Sequence, residues 1–254
     1  MKKTNIVMTE KVVFITGSAK RIGAHTARYL HNLNYKLVLH CNHSVDEAQA
    51  LMMELNSKRE NSARLIMGDL CDFQTLQELA DSAWQAFGRL DVLINNASSF
   101  YPTAVGQITL EHWQNLMGSN VQAPLFLSQY LAPQLALHKG VIINMVDIHA
   151  QRPLKEHTVY SMAKAALVTM TQSLAQELAP DIRVNAVAPG AILWPEQALD
   201  QQNKDLVLQQ IPAQRLGSPQ DIAQAIGYLI DAQYVNGQIL AVDGGRSIVS
   251  SSKV

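Results

Sequence analysis

The sequence predicts a single α/β domain over residues 1–254, in which a parallel, doubly wound sheet of about seven strands carries helices on both faces. Two observations lead to this prediction. Short apolar runs rich in β-branched residues alternate along the chain with longer segments of helical spacing, as in repeated strand–helix–strand units. No repeat, low-complexity tract or linker-like stretch interrupts this alternation, so nothing in it marks a domain boundary.

The predicted elements follow one another in a regular order. The strands are residues 11–16, 36–40, 63–67, 90–94, 141–146, 182–188 and 239–242. Between them, segments such as 45–58 and 73–87 repeat apolar residues at three- and four-residue spacing, which predicts helices. The stretch 110–137 is predicted as one long helix, in which the polar Asn120 should either bend the helix or hold a water. Polar residues 194–204 are expected to form a mobile lid.

The composition excludes several classes of protein. The formal net charge is −1, charged residues make up 16% of the chain, and the lysines and arginines are scattered, which argues against a nucleic-acid or membrane-surface protein. No apolar stretch approaches the roughly 18 residues that a membrane-spanning helix needs, so we expect a cytoplasmic protein. Cys41 and Cys71 lie in neither a Cys-x-x-Cys pair nor a His/Cys cluster, and we expect no metal site.

The turn after the first strand has the context of a phosphate-binding loop. Gly17 would permit a tight turn, Gly23 would permit close packing, and the helix that follows would present free N–H groups to a pyrophosphate. Where the common glycine fingerprint has its middle glycine, this chain has Arg21, with Lys20 beside it. These cations either supplement the backbone amides or lie on a solvated surface.

The end of the second strand indicates which dinucleotide would bind. An NAD site normally has Asp or Glu about twenty residues past the glycines, where it bonds the ribose 2′-hydroxyl. This chain has two imidazoles, an amide and a hydroxyl there instead: His40, Asn42, His43 and Ser44. Together with Lys20 and Arg21, these groups favour the 2′-phosphate of NADP(H). The nearest acid, Asp46, lies just inside the next predicted helix, where capping is its expected role.

Further candidates lie where the third and fourth strands end. Asp69 would either accept a hydrogen bond from an adenine amino group or cap the following turn. After the fourth strand, the small and polar residues Asn96, Ala97 and Ser98 lead to Phe100 in a loop that ends at a proline. In a doubly wound sheet ligands bind at this edge, so Phe100 is either a stacking platform for a planar ring or an ordinary loop anchor.

Tyr160 and Lys164 are the candidate proton-transfer pair. Residues four apart share a helical face, and an ammonium close to a phenol should lower the pKa of that phenol toward the working range. The alternative is two unrelated surface residues. Asp147 follows the fifth strand directly, thirteen residues before Tyr160.

These motifs occur in the order and at the separations of the short-chain dehydrogenase/reductase superfamily, which the chain resembles over nearly its whole length. The motifs are Thr16-Gly17 to Gly23, Asn95-Asn96-Ala97, Asn120, Tyr160-x-x-x-Lys164 and Pro189-Gly190. The resemblance implies a Rossmann-type fold, a nicotinamide cofactor and a homotetramer. It also implies that Tyr160 donates a proton, that Lys164 lowers the pKa of Tyr160 and binds the nicotinamide ribose, and that Asn120 completes a proton relay. Ile22, Leu70, Pro189 and Gly190 join the expected cofactor contacts.

Two departures from the superfamily pattern resemble the pteridine reductases. Asp147 stands where a serine is usual, and Arg21 replaces the middle glycine; the residues around Phe100 and His40 agree with the same family. The resemblance implies that a pterin stacks between nicotinamide and Phe100, with Ser98 and Arg21 near its polar edge and Asp147 assisting Tyr160. We therefore expect an NADPH-dependent reductase of dihydropterin, with dihydrofolate and oxidised pterin as further candidate substrates. The alternatives are a ketone reductase, for example of 3-oxoacyl thioesters, and a non-catalytic nucleotide-binding module.

Overall fold

The computed structural model describes residues 10–194 and 200–249, and these contain one seven-stranded parallel sheet. The strands are β1 (Val12–Ile15), β2 (Lys36–Cys41), β3 (Ala63–Met67), β4 (Val92–Asn95), β5 (Val141–Met145), β6 (Arg183–Pro189) and β7 (Ile239–Val242). They are arranged in the order β3-β2-β1-β4-β5-β6-β7. The sheet confirms the predicted fold class, and each predicted strand differs from the observed one by no more than two residues at either end.

The described helices cover both faces of this sheet. They are α1 (Arg21–Asn32), α2 (Val45–Lys58), α3 (Leu76–Gln85), α4 (Leu110–Met117), α5 (Ala123–Ala136), α6 (Thr158–Glu177), α7 (Gln201–Gln209) and α8 (Pro219–Asp231). Short 3-10 turns follow β5 (Ile148–Ala150) and β7 (Arg246–Ile248). Within the described residues, no helix combines the length and hydropathy needed to cross a bilayer.

Two apolar layers hold the helices on the sheet. On one face Leu30 of α1 and Ile226 of α8 are buried against the strands, and on the other Leu79 of α3 and Leu131 of α5 are buried. Val12–Ile15 of β1 is apolar and buried throughout, and Val141–Met145 of β5 is buried throughout, because helices cover both faces of the sheet. Full burial of one such leucine contributes about 1.5–3 kcal/mol relative to exposure.

The strand order reverses between β1 and β4, and this reversal positions the functional site. From β1 the chain builds outward through β2 and β3, and it then returns to pair β4 with the other side of β1. The loops that leave the carboxyl ends of these two strands diverge, which leaves a crevice between them.

The structure corrects two predictions about the helices. The predicted helix 110–137 is interrupted by a π-helical turn at Gly118–Gln122, where the Asn120 amide donates to the carbonyl of Leu116 at 2.9 Å. The predicted lid 194–204 is wrong for its last residues, because Gln201 begins α7 and the Asp200 side chain caps that helix at the N–H of Asn203. Residues 195–199 of the predicted lid lie outside the described residues.

Candidate active site

Two adjoining cavities lie at the carboxyl edge of the sheet. The first, of about 520 Å³, lies at the reversal of strand order, and we call it the switch-point cleft. Among the predicted cofactor residues it is lined by Gly17, Lys20, Arg21, Ile22, Gly23, His40, Asn42, His43, Asp69, Leu70, Asn96, Ala97 and Ser98. Ser44 does not line it; Ser44 is the N-cap residue of α2, directly before Val45.

The second cavity, of about 370 Å³, surrounds the phenol of Tyr160, and we call it the tyrosine pocket. The predicted residues that line it are Phe100, Asp147, Tyr160, Lys164, Pro189 and Gly190. Both cavities share Arg21, Ile22, Asn96 and Ser98, so they form one continuous site. In the described part of the chain, no group of three or more His, Cys, Asp and Glu side chains could hold a metal ion.

The glycines of the first turn are required by contacts within the chain. Gly17 has φ of +60°, and a Cβ there would lie 2.9 Å from the Cα of Ala97. A Cβ on Gly23 would lie 2.4 Å from the carbonyl oxygen of Gly17. Asn96 fastens this turn to β4, since its amide donates to the carbonyls of Thr16 and Gly17 at 2.8 and 2.9 Å. The predicted cofactor role of Asn96 is therefore combined with a structural one.

The start of α1 is suited to an anion. Lys20 is its N-cap and provides no side-chain cap, and the first turn contains no acid, so the helix presents its positive end to the cleft. Arg21 has φ of +51°, in the left-handed region that favours glycine. The backbone thus keeps the conformation of the glycine fingerprint although the side chain differs.

His40 holds the first turn and is not a phosphate ligand, which corrects its predicted role. Its side chain is 2% exposed. Nδ1 accepts from the N–H of Gly17 at 3.1 Å, so Nε2 carries the proton and donates to the carbonyl of Gly68, also at 3.1 Å. Burial lowers the pKa of His40 to about 4, so the ring is neutral at physiological pH.

Two other predicted contacts also have partners within the chain. The Lys20 ammonium forms an ion pair with Glu47 of α2 at 2.7 Å, an acid that the sequence analysis overlooked beside Asp46. The Asp69 carboxylate accepts from the N–H of Cys71 at 2.9 Å, so it caps the turn after β3 while it lines the cleft.

Tyr160 and Lys164 lie on the first turns of α6, and the structure buries both. The Lys164 ammonium is 2% exposed and donates to the carbonyl of Met145 at 2.8 Å, and it lies 5.6 Å from the centre of the Tyr160 ring. Burial lowers the pKa of Lys164 to about 8, and the nearby carboxylate of Asp147 opposes this change.

The Tyr160 hydroxyl donates to Oδ2 of Asp147 at 2.8 Å. Burial raises the pKa of Tyr160, the Asp147 carboxylate raises it further, and the Ser98 hydroxyl acts in the opposite direction. The expectation that Lys164 lowers the pKa of Tyr160 toward neutrality is therefore wrong for this arrangement. Tyr160 remains protonated at neutral pH and is a donor, not a phenolate.

Asn120 does not contact Tyr160 or Asp147 directly; it contacts Ser98, whose hydroxyl lies beside Tyr160. It is fully buried in the π-helical turn and lines neither cavity. Its Oδ1 accepts from the Ser98 hydroxyl at 2.7 Å, and its amide donates to the carbonyls of Ser99 and Leu116. Asn120 therefore holds Ser98 in place between the two cavities.

Phe100 is 54% exposed and lines the tyrosine pocket. It meets Tyr160 edge to face at 4.8 Å, and the ring of His157 stacks on it at the same centroid distance. Sequence reasoning missed His157, which stacks on Phe100. It also missed His149 and Arg246, which line the tyrosine pocket. Arg246 follows Asp243-Gly244-Gly245 at the end of β7, so the rule that polar residues at strand ends form sites would have found it.

Comparisons with known proteins agree with this geometry. A family model described as enoyl-(acyl carrier protein) reductase matches residues 17–247. Pteridine reductase 1 of Leishmania tarentolae is 35% identical, over 94% of this chain and 97% of that protein. The 7alpha-hydroxysteroid dehydrogenase of Bacteroides fragilis is 30% identical, over 94% and 95% of the two chains. A 3-oxoacyl-(acyl-carrier-protein) reductase of Staphylococcus epidermidis is also 30% identical, over 92% and 98%.

The family model and these relatives each cover most of the chain. The chain belongs to the short-chain dehydrogenase/reductase superfamily of nicotinamide-dependent oxidoreductases.

Proposed function

We propose that this protein is an NADPH-dependent pteridine reductase, which reduces a dihydropterin to the tetrahydro form. The observation that carries the proposal is the hydrogen bond from Tyr160 to Asp147, in the position where the superfamily usually has serine. The half-exposed ring of Phe100 beside this pair supports it, because it offers a flat apolar surface to a planar heterocycle. The 35% identity to pteridine reductase 1 of Leishmania tarentolae supports it as well.

The residues of the tyrosine pocket can protonate a ring nitrogen. A reduced nicotinamide, when bound, supplies the hydride for the carbon of a C=N bond. Tyr160 retains its proton at neutral pH and delivers it to the nitrogen of that bond as negative charge develops there. The ammonium of Lys164 stabilises the phenolate that results. Asp147, whose carboxylate accepts from the same phenol, is placed to pass on to it a proton that the carboxylate first takes up from water.

The residues of the switch-point cleft fit a dinucleotide that carries a 2′-phosphate. The start of α1 can receive the pyrophosphate, and Lys20, Arg21 and His43 place basic groups around the cleft. The three residues that follow β2 include no acid, and two of them, Asn42 and His43, line the cleft. Glu47 pairs with Lys20, so a 2′-phosphate would have to compete for that ammonium.

Reduction of a ketone is the second candidate. The 30% identity to a 3-oxoacyl reductase and to a steroid dehydrogenase favours it, because both proteins align over nearly their whole length. Asp147 counts against it, since a serine hydroxyl can orient a carbonyl oxygen without adding a negative charge beside it. A non-catalytic module is disfavoured because Tyr160 and Lys164 both line the tyrosine pocket and Asn120 holds Ser98 at its edge.

We also propose that the chain assembles as a homotetramer, as the superfamily resemblance implies. Exposed apolar side chains on α4 and α6 support this, among them Leu110, Trp113 and Met162. Sedimentation as a monomer at micromolar concentration would contradict it.

The function is tested by measuring cofactor oxidation with dihydrobiopterin, dihydrofolate and acetoacetyl thioester in parallel, with NADPH and with NADH. Turnover of a dihydropterin with NADPH, and weak turnover with NADH, would support the proposal. Turnover of the thioester alone would replace it with the ketone-reductase alternative. No oxidation with any substrate would favour the non-catalytic module.

A further inference from the structure

A third cavity adjoins the tyrosine pocket. It has a volume of about 350 Å³ and contains two arginines, Arg152 from the loop before α6 and Arg246 from the turn after β7. We call it the arginine pocket. Its other lining residues are Ile148, His149, Pro153, Leu154, Gln210 and Val249. It shares His149 and Arg246 with the tyrosine pocket and no residue with the switch-point cleft. The arginine pocket therefore extends the tyrosine pocket and is separate from the switch-point cleft.

Both guanidinium groups line this pocket, and each is held by an acceptor elsewhere in the chain. Arg152 donates from Nη1 to the backbone carbonyl of Arg246 at 2.7 Å, and Arg246 donates from Nη2 to Oε1 of Gln210 at 3.0 Å. Each guanidinium has five N–H donors, so most of their donor capacity remains for another acceptor. In residues 10–194 and 200–249, neither arginine forms a salt bridge.

Two acids lie near this pair, but in residues 10–194 and 200–249 neither acid is bonded to a guanidinium. Burial lowers the pKa of Arg246, and the charge of Arg152 lowers it further, while Asp147 and Asp243 oppose both effects. The two acids are engaged elsewhere: Asp147 binds Tyr160 and the N–H of His149, and Asp243 accepts from the N–H groups of the following turn. Adjacent like charges with restricted access to water are costly unless an anion neutralises them.

His149 connects the arginine pocket with the catalytic residues. Its Nδ1 lies 2.9 Å from the carbonyl of Arg152, and because a carbonyl only accepts, Nδ1 carries the proton. The backbone N–H of the same residue donates to Oδ1 of Asp147 at 2.8 Å. The backbone of Arg152 is thus tied through one residue to the carboxylate that binds Tyr160, and this link does not depend on the Arg152 side chain.

We propose that the arginine pocket binds an anionic group, a carboxylate or a phosphate, on the side chain of the substrate whose ring lies in the tyrosine pocket. The proposal rests on the proposed function, because it assigns the tail of that same substrate. Guanidinium groups recognise both kinds of anion by paired N–H donors. The apolar side chains of Pro153 and Leu154 provide the wall against which a linking segment packs.

The test compares Michaelis constants for three dihydropterins: dihydrobiopterin with a neutral side chain, dihydrofolate with a carboxylate tail, and dihydroneopterin phosphate. Arg152→Gln removes the charge from a residue that lines neither the cleft nor the tyrosine pocket. We expect it to raise KM for the anionic substrate by about tenfold, the effect of 1.4 kcal/mol on an equilibrium constant, at unchanged kcat. Turnover of dihydrobiopterin should not change, which also shows that the variant folds.

Two variants serve as controls. Arg152→Lys retains the charge and should keep most of the affinity. Lys155→Gln removes a positive charge from the same loop at an exposed residue that lines none of the three cavities, and it should change no constant. A change with dihydrofolate alone, or with the phosphate alone, would support the proposal and identify the anion.

Failure of this inference can be told apart from failure of the proposed function. If dihydrobiopterin is reduced and Arg152→Gln leaves KM unchanged for both anionic substrates, the anion site is wrong while the function stands. An altered sedimentation coefficient with unchanged KM would assign the arginines to an interface between copies and overturn the proposal. If no pterin is reduced, calorimetry with p-aminobenzoylglutamate and with inorganic phosphate decides: binding that Arg152→Gln abolishes supports the site, and no binding overturns it.

Discussion

The phenol of Tyr160 donates its hydrogen bond to the carboxylate of Asp147 at 2.8 Å. One proton thus lies between a buried phenol and a carboxylate, with the Lys164 ammonium against the phenol ring. This arrangement keeps Tyr160 protonated at neutral pH. After the phenol has given up its proton, Asp147 is the group through which a new proton can reach the phenol oxygen. Five predictions follow from this arrangement and from the contacts around it.

Tyr160→Phe should lower kcat by about 10²–10⁴-fold, the range for loss of a general acid, while NADPH still binds. Phenylalanine fills nearly the same volume, so the fold should not change. The matched control is Tyr101→Phe, which removes a hydroxyl that donates to Asn115 of α4 at 3.1 Å and should keep turnover near the wild-type level. Turnover and a fluorescence titration with NADPH measure both effects, and near-normal turnover of Tyr160→Phe would exclude this proton path.

The pH dependence of kcat/KM should report Lys164. Because burial lowers the pKa of this ammonium to about 8, the charge that stabilises the phenolate is present below that pH and is lost above it. We therefore expect kcat/KM to fall as pH rises through about 8. The pKa of Tyr160 is raised, so the phenol does not cause this fall.

Lys164→Arg is the control for this assignment. Arginine keeps its charge at all working pH values, so the fall of kcat/KM near pH 8 should disappear in this variant, even if its turnover is slower than that of the wild type. An unchanged profile in Lys164→Arg would assign the titration to another group.

His40 and His43 should respond differently to substitution. His40→Ala leaves the N–H of Gly17 and the carbonyl of Gly68 without partners, so it should lower the free energy of unfolding by about 1–3 kcal/mol with no change in the preference for NADPH over NADH. His43→Ala, at an exposed position, should lower that preference at unchanged stability. Denaturant unfolding and paired kinetics with both cofactors distinguish the two roles, and the reverse pattern would contradict them.

Phe100→Ala should raise KM for the pterin and leave kcat largely unchanged. Stacking contributes about 0.5–1.5 kcal/mol beyond burial, which corresponds to roughly a two- to tenfold change. Phe100→Tyr keeps an aromatic face and should keep the wild-type KM. Equal Michaelis constants for the alanine variant and the wild type would show that the ring does not stack on Phe100.

The sheet could be predicted from the sequence because its central strands are buried on both faces. The edge strands, residues 63–67 and 239–242, are less buried, but they are the same in prediction and structure since polar or small residues bound each of them. The placement of Tyr160 and Lys164 on one helical face also follows from their spacing alone. Local patterns of this kind need no knowledge of distant contacts.

The errors concern groups whose surroundings come from distant parts of the chain. The role of His40, which lies on β2, depends on Gly17 and Gly68, which follow β1 and β3 and meet it only through the register of the sheet. The pKa of Tyr160 depends on burial and on a carboxylate thirteen residues away, and neither can be derived from the spacing to Lys164. Arg152 and Arg246 are 94 residues apart, and only the fold brings them together.

Asp147→Ser tests the central claim most directly, because it restores the residue that is usual in the superfamily. A serine hydroxyl can accept the N–H of His149 as the carboxylate does, so the turn after β5 should be retained. The measurement is kcat for dihydrobiopterin and for an acetoacetyl thioester, with NADPH binding and thermal unfolding as controls for the fold. We predict that turnover of the pterin falls by about 10²-fold or more while turnover of the thioester does not fall. Unchanged pterin turnover in Asp147→Ser would contradict the role of the Tyr160–Asp147 pair and the pterin assignment that depends on it.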